Sequence, residues 1–131
     1  MAYILKHAGP IDILVLNGDF DAAQVAELRK SVLESLESSE SSLAIDMSNV
    51  KFADSSGVGF LVSLTKKLTG PDQKLIVWGL SGQPLEIIKL TRVDSFMSVY
   101  ADMPSFIKSL GTEARRSMLE AIEAEAGSAQ H

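Results

Sequence analysis

The chain contains no cysteine, which excludes a disulfide framework, a thiolate zinc site and a cysteine nucleophile, and fits a reducing compartment. Histidine is scarce: His7 and His131 are the two present. Basic residues are in the minority, 12 Lys+Arg against 17 Asp+Glu, for a formal charge of −5. With no dense basic run, a nucleic-acid partner held by a basic surface is not expected. Apolar runs all fall short of the about 20 residues that a membrane-spanning helix needs. The opening MAYILKHAGP is too brief in its apolar part for a secretory signal. These absences leave a cytoplasmic chain with no membrane association. At 131 residues, 46% hydrophobic and 22% charged, it suits one globular domain with a single core.

Hydrophobic patterning alternates between strand and helix. Tyr3 to His7 and Ile11 to Leu16 are β-prone runs separated by Ala8-Gly9-Pro10, which predicts an opening antiparallel pair. Val25, Leu28, Val32 and Leu36 then recur at helical spacing, with Asp21 placed as N-cap and Gln24 as its capping-box partner. Leu43 to Met47 and Lys74 to Trp78 read as buried strands. Between them, Val58, Leu61, Val62, Leu64, Thr65 and Leu68 form the inward side of a second helix. Gly82 to Leu90 and Pro104 to Leu110 read as shorter helices, and Phe96 to Tyr100 as a weak last strand. Alternation of this kind implies parallel strands joined by crossover helices. The expected fold is α/β: a four- to five-stranded mixed sheet with about four helices mainly on one face. Residues 1–110 form the domain. Residues 111–131 form a C-terminal extension, a peripheral helix to Ala126 and then a frayed end that includes His131. Its apolar stripe of Met118, Leu119 and Ile122 is thin, so removing 112–131 is expected to leave the core folded.

Candidate chemistry centres on Ala53 to Gly59, ADSSGVG, at the start of the second helix. A serine nucleophile needs a nearby base and a group to orient it. His7, in the first strand, reads as a solvated side chain, and the Gly-x-Ser-x-Gly elbow is absent. Neither a third glycine at dinucleotide-loop spacing nor a Gly-Lys-Ser/Thr sequence is present. The spacings of Asp12, Asp19, Asp21, Asp46 and Asp54 match no EF-hand loop. Catalytic residues, metal ligands and cofactors are therefore not assigned. Two readings of Asp54-Ser55-Ser56-Gly57 remain. A serine can cap the helix for about 1 kcal/mol. Only one hydroxyl is needed for that, which leaves the other free to accept a phosphate at the positive end of the helix dipole.

Two stretches, NGDFDAAQVAELR (Asn17 to Arg29) and LAIDMSNVKFADSSGVGFLVSL (Leu43 to Leu64), resemble the STAS domain of bacterial anti-sigma factor antagonists. The similarity spans Tyr3 to Leu110. The family's Gly-acid-x-Asp turn is matched by Gly18, Asp19 and Asp21. Its strand-to-helix motif is matched by Asp46, Phe52, Asp54, Ser55, Ser56, Gly57 and Gly59.

The resemblance implies a binding partner and kinase substrate rather than an enzyme. It makes Ser55 the phosphorylation site of an anti-sigma factor/serine kinase of GHKL type. The unphosphorylated form binds that kinase, and a PP2C-like phosphatase restores the hydroxyl. Asp21, Asp54, Ser55, Ser56 and Gly57 become the partner-binding surface, with Ser56 as the helix cap. The chain departs from the family pattern at Ala22-Ala23, where many relatives are polar, and in the residues beyond Gly111. An alternative on the same fold is a STAS subunit that is never phosphorylated and serves assembly, in a transporter or a stress-signalling complex.

Overall fold

Strand residues alternate between two apolar faces, and that alternation organises the molecule. The computed structural model describes residues 2–129, with side chains for 3–124; His131 lies outside the described residues. Strands β1 (Ala2–Ala8) and β2 (Ile11–Asn17) pair antiparallel, with Ala8 opposite Ile11 across a tight turn. β2, β3 (Ser42–Asn49), β4 (Leu75–Trp78) and β5 (Ser98–Tyr100) pair in parallel, and the sheet order is β1-β2-β3-β4-β5. The crossovers are α1 (Ala22–Glu37), α2 (Ser55–Lys67) and α3 (Gly82–Thr91), the last followed by a 3-10 turn over Val93–Phe96. α4 (Met103–Ser109) and α5 (Thr112–Ala129) complete the described chain.

On the first face, Leu14, Leu16, Leu43, Ile45, Leu75 and Val77 form one buried cluster. Leu28, Val32 and Leu36 of α1, Leu61 and Leu64 of α2, and Ile88 of α3 join it. The helical spacing of these side chains is the reason α1 to α3 lie against the sheet. Phe60 falls outside the inward stripe that the sequence suggests for α2, yet it is buried. Its ring meets Phe20 edge-on at 6.3 Å, and the Arg29 guanidinium lies 5.9 Å from its centroid.

The opposite strand positions, Ile11, Ile13, Ala44, Ile76 and Trp78, form a second cluster with Phe106 of α4 and Met118 of α5. Trp78 stacks on Phe106 at 5.6 Å, and Tyr100 meets the same ring edge-on at 5.3 Å. Helices thus lie mainly on one face, while α4 and α5 cover the other. The thin stripe of α5 carries a core side chain: Met118 is 0% exposed, whereas Leu119 beside it is 42% exposed. Loss of residues 112–131 would uncover part of the second cluster. Met118→Ala is expected to cost about 2–5 kcal/mol and Leu119→Ala less than about 0.5 kcal/mol, read from urea melts. Equal midpoints for the two variants would place Met118 outside the core.

Candidate functional site

All four parallel strands end at one edge, and the helices that follow begin there. Three of those helices are capped by aspartate. Asp21 accepts a hydrogen bond from Gln24 N–H at 3.1 Å, Asp54 caps α2, and Asp102 accepts from Ser105 N–H at 2.8 Å. Ser105, through its hydroxyl and then its N–H, holds the Asp102 carboxyl below the ordinary carboxylate range. The α3 cap, Ser81, makes no side-chain bond to its helix. At α1 the capping box is half formed: Asp21 caps as expected, but Gln24 Oε1 is buried with no hydrogen-bond partner.

Beyond the ends of β2 and β3 the two segments keep pairing for a few residues more, with the register slipping by one residue between Asn17 opposite Asn49 and Phe20 opposite Ala53. Gly18 N–H donates to Asn49 C=O at 3.3 Å and Phe20 N–H to Phe52 C=O at 2.8 Å, while Asp54 N–H donates to Phe20 C=O at 3.2 Å. Phe20 and Ala53 form an isolated parallel bridge as a result. This ladder brings the Asp21 turn beside the Asp54-Ser55 turn, although the two are 33 positions apart in the chain. Gly57, in the first turn of α2, sits directly over it. A Cβ there would lie 2.5 Å from Phe20 C=O and 2.8 Å from the Phe20 ring, so no side chain fits without displacing backbone.

Asp54, not Ser56, is the cap of α2. Its backbone is extended (φ −111, ψ −175), and Oδ1 accepts from Ser56 N–H at 2.8 Å and Gly57 N–H at 3.1 Å. Ser55 and Ser56 are already the first two helical residues. Helical geometry sends their side chains away from the N–H groups a cap must reach, which is why Ser56 does not cap. Ser55 is exposed and Ser56 half-buried. Phe52, three residues before Ser55 in the chain, is an apolar ring exposed at 44%.

Other candidate chemistry is spread elsewhere. His7 is exposed, as its sequence context suggests, but its Nδ1 lies 2.6 Å from Asp12 Oδ1, and Ser39 Oγ donates to Asp12 Oδ2 at 3.0 Å. That cluster lies at the start of β2, and Ser55 lies past the far end of the parallel strands. No cluster of three potential metal-binding side chains occurs among the described residues. A cleft of about 380 Å³ lined by Ile11, Ser42, Lys74, Tyr100 and Phe106 lies near the strand starts. Among the described residues, no helix is long and apolar enough to cross a membrane. Sequence reasoning missed Gln83: its side-chain amide bonds both backbone groups of Ala53, and no local signal marks a contact 30 residues away.

Residues 2–105 match the STAS domain family. The chain belongs to the STAS domain family. Solved structures share the fold at low identity. An anti-sigma factor antagonist from Mycobacterium paratuberculosis is 19% identical, with a TM-score of 0.72 over 89% of this chain and 92% of that one. The Bacillus cell fate determinant SpoIIAA in its phosphorylated form is 16% identical, with a TM-score of 0.64 over 83% and 100%. A serine-to-glutamate variant of Moorella thermoacetica RsbS is 15% identical, with a TM-score of 0.67 over 88% and 99%. In this STAS domain the motif's hydroxyls stand on the first turn of α2, held in place by Asp54 and Phe20.

Substitutions should separate these roles. Asp54→Ala is expected to cost about 0.5–2 kcal/mol through the lost cap. Gly57→Ala should cost about 1–3 kcal/mol through overpacking against Phe20. Ser55→Ala and Ser56→Ala should each stay within about 0.5 kcal/mol of the parent in chemical denaturation. A larger loss for Ser56→Ala than for Asp54→Ala would return the cap to Ser56.

Proposed function

We propose that this STAS protein is a partner-switching regulator of the anti-sigma factor antagonist type, with Ser55 as its phosphoacceptor. In its unphosphorylated state it binds an anti-sigma factor/serine kinase of GHKL type, and a PP2C-like phosphatase resets it. The chain is then substrate and ligand rather than enzyme, and it works in the cytoplasm, where ATP and such a kinase meet it. One observation carries the reading: Ser55 is an exposed hydroxyl on a first helical turn whose cap is already supplied by Asp54. Modifying it removes no hydrogen bond that holds the helix.

In the transfer, Ser55 Oγ forms a bond to the γ-phosphorus of ATP as the bond to the β-phosphate oxygen breaks. ADP leaves, and the hydroxyl proton passes to the kinase. Phosphate adds about −1.5 to −2 charges. Asp54 Oδ1 already occupies the Ser56 and Gly57 N–H groups, so the new group projects outward rather than settling into the helix end. Bulk and charge then meet the partner on the surface that this turn shares with the Asp21 turn. Desolvating an unpaired charge at an interface costs several kcal/mol, enough to abolish micromolar binding.

Calorimetry against the GHKL-type kinase tests this. Ser55→Ala should bind as tightly as the unmodified chain and persist in the complex in the presence of ATP. Ser55→Asp, with part of the charge and none of the tetrahedral shape, should bind at least tenfold more weakly, about 1.4 kcal/mol. Equal affinity across all three would overturn the switch and favour a STAS subunit that assembles without phosphorylation.

A further inference from the structure

Ala53 is the last residue before the cap of α2, and it is 1% exposed. Its backbone N–H and C=O cannot be left without partners at that depth. One side of its strand segment is satisfied by Phe20, which bonds Phe52 C=O and Asp54 N–H. The Ala53 N–H and C=O point the other way, to where β4 would run if it continued. β4 does not continue: its pairing with β3 ends at Asp46 opposite Trp78, and the chain turns at Gly79 with φ +80. Gln83, near the start of α3, fills the gap. Ala53 N–H donates to Gln83 Oε1 at 2.8 Å, and Gln83 Nε2 donates to Ala53 C=O at 2.8 Å. A primary amide presents the same donor and acceptor as a peptide unit, and this orientation pairs each donor with an acceptor.

We infer that Gln83 is the positioning residue of the Ser55 turn, its amide standing in for a strand that has turned away. This rests on the proposed role of Ser55 and adds what holds that hydroxyl in place. With Phe20 on one side and Gln83 on the other, the backbone leading into Asp54 and Ser55 is fixed from both edges. Whatever moves the first turn of α3 moves the phosphoacceptor with it. The clamp makes Ser55 dependent on β4 and α3 as well as on its own helix. A partner meets a turn that is already in place, so less binding energy is lost to ordering it.

Amide hydrogen exchange on the full chain, read by NMR, tests the clamp without any kinase. Gln83→Ala should speed exchange at Ala53 by about 5- to 100-fold, the effect expected for two buried hydrogen bonds, with Ile45 in the middle of β3 unchanged. Gln83→Glu supplies a second readout. As a carboxylate it can accept from Ala53 N–H but places a second acceptor against Ala53 C=O. Protonated, it can donate there as the amide does. Protection at Ala53, corrected for the intrinsic rate, should therefore be low at neutral pH and recover as pH falls toward about 4, the range in which an ordinary Glu protonates. The parent chain should show no such recovery. Unchanged exchange at Ala53 in Gln83→Ala, or pH-independent protection in Gln83→Glu, would overturn the inference. Phosphorylation by the GHKL-type kinase and ATP adds the functional arm: Gln83→Ala should lower kcat/KM at Ser55 by a similar factor, and an unaltered value in a chain that does take phosphate at Ser55 would overturn the positioning role. A parent chain that takes no phosphate at Ser55 would contradict the proposed function, while exchange would still decide the clamp.

Discussion

The peptide group of Phe20 is the contact on which the site depends. Its N–H and C=O extend the pairing of β2 with β3 past the end of both strands, and Gly57 packs against the same carbonyl and ring. Without that ladder, the turn carrying Asp21 and the turn carrying Ser55 would be two independent loops. With it, they form one surface backed by a buried ring pair, Phe20 and Phe60. A single extra carbon at residue 57 would force the two apart, so the glycine is required by the close approach and not by its backbone angles. The apolar sheet supplies most of the stability, but this short ladder sets the geometry a partner meets.

The division of labour between Asp54 and Ser55 follows from where the chain turns helical. Asp54 is the last extended residue, so its carboxylate reaches back over the first turn and occupies the donors that would otherwise attract an anion. Ser55 is left without a capping role and exposed to solvent. A modification at such a position changes surface charge and shape at little cost to the fold. A modification at Asp54 or Gly57 could not.

Much of this was legible in the sequence, and the exceptions have physical reasons. Asp21 is identifiable as a cap because a helical apolar repeat begins directly after it, and β2, β3 and β4 are identifiable from their apolar runs. At Asp54-Ser55-Ser56 three neighbouring side chains carry suitable oxygens. Which one is the last non-helical residue is decided by the bond from Asp54 N–H to Phe20, a residue far away in the chain. Gln83 was illegible for the same reason, since its role exists only because β4 turns away at Gly79. Met118 reads as one member of a weak stripe until the second face of the sheet is seen. Ile11, Ile13, Ala44 and Ile76 form an apolar surface there that α4 alone is too short to cover.

Under the proposed function, phosphate on the hydrogen-bonded Ser55 turn alters the surface and leaves the fold in place. Comparison of backbone amide NMR spectra of the unmodified chain and the chain phosphorylated on Ser55, with melting temperatures of both, tests it most directly. Shift changes confined to residues 19–23 and 52–57, with melting temperatures within a few degrees, are the predicted result. Changes that spread through β3, β4 and α3, or a large fall in melting temperature, would show that phosphate acts on the fold itself and would contradict the account.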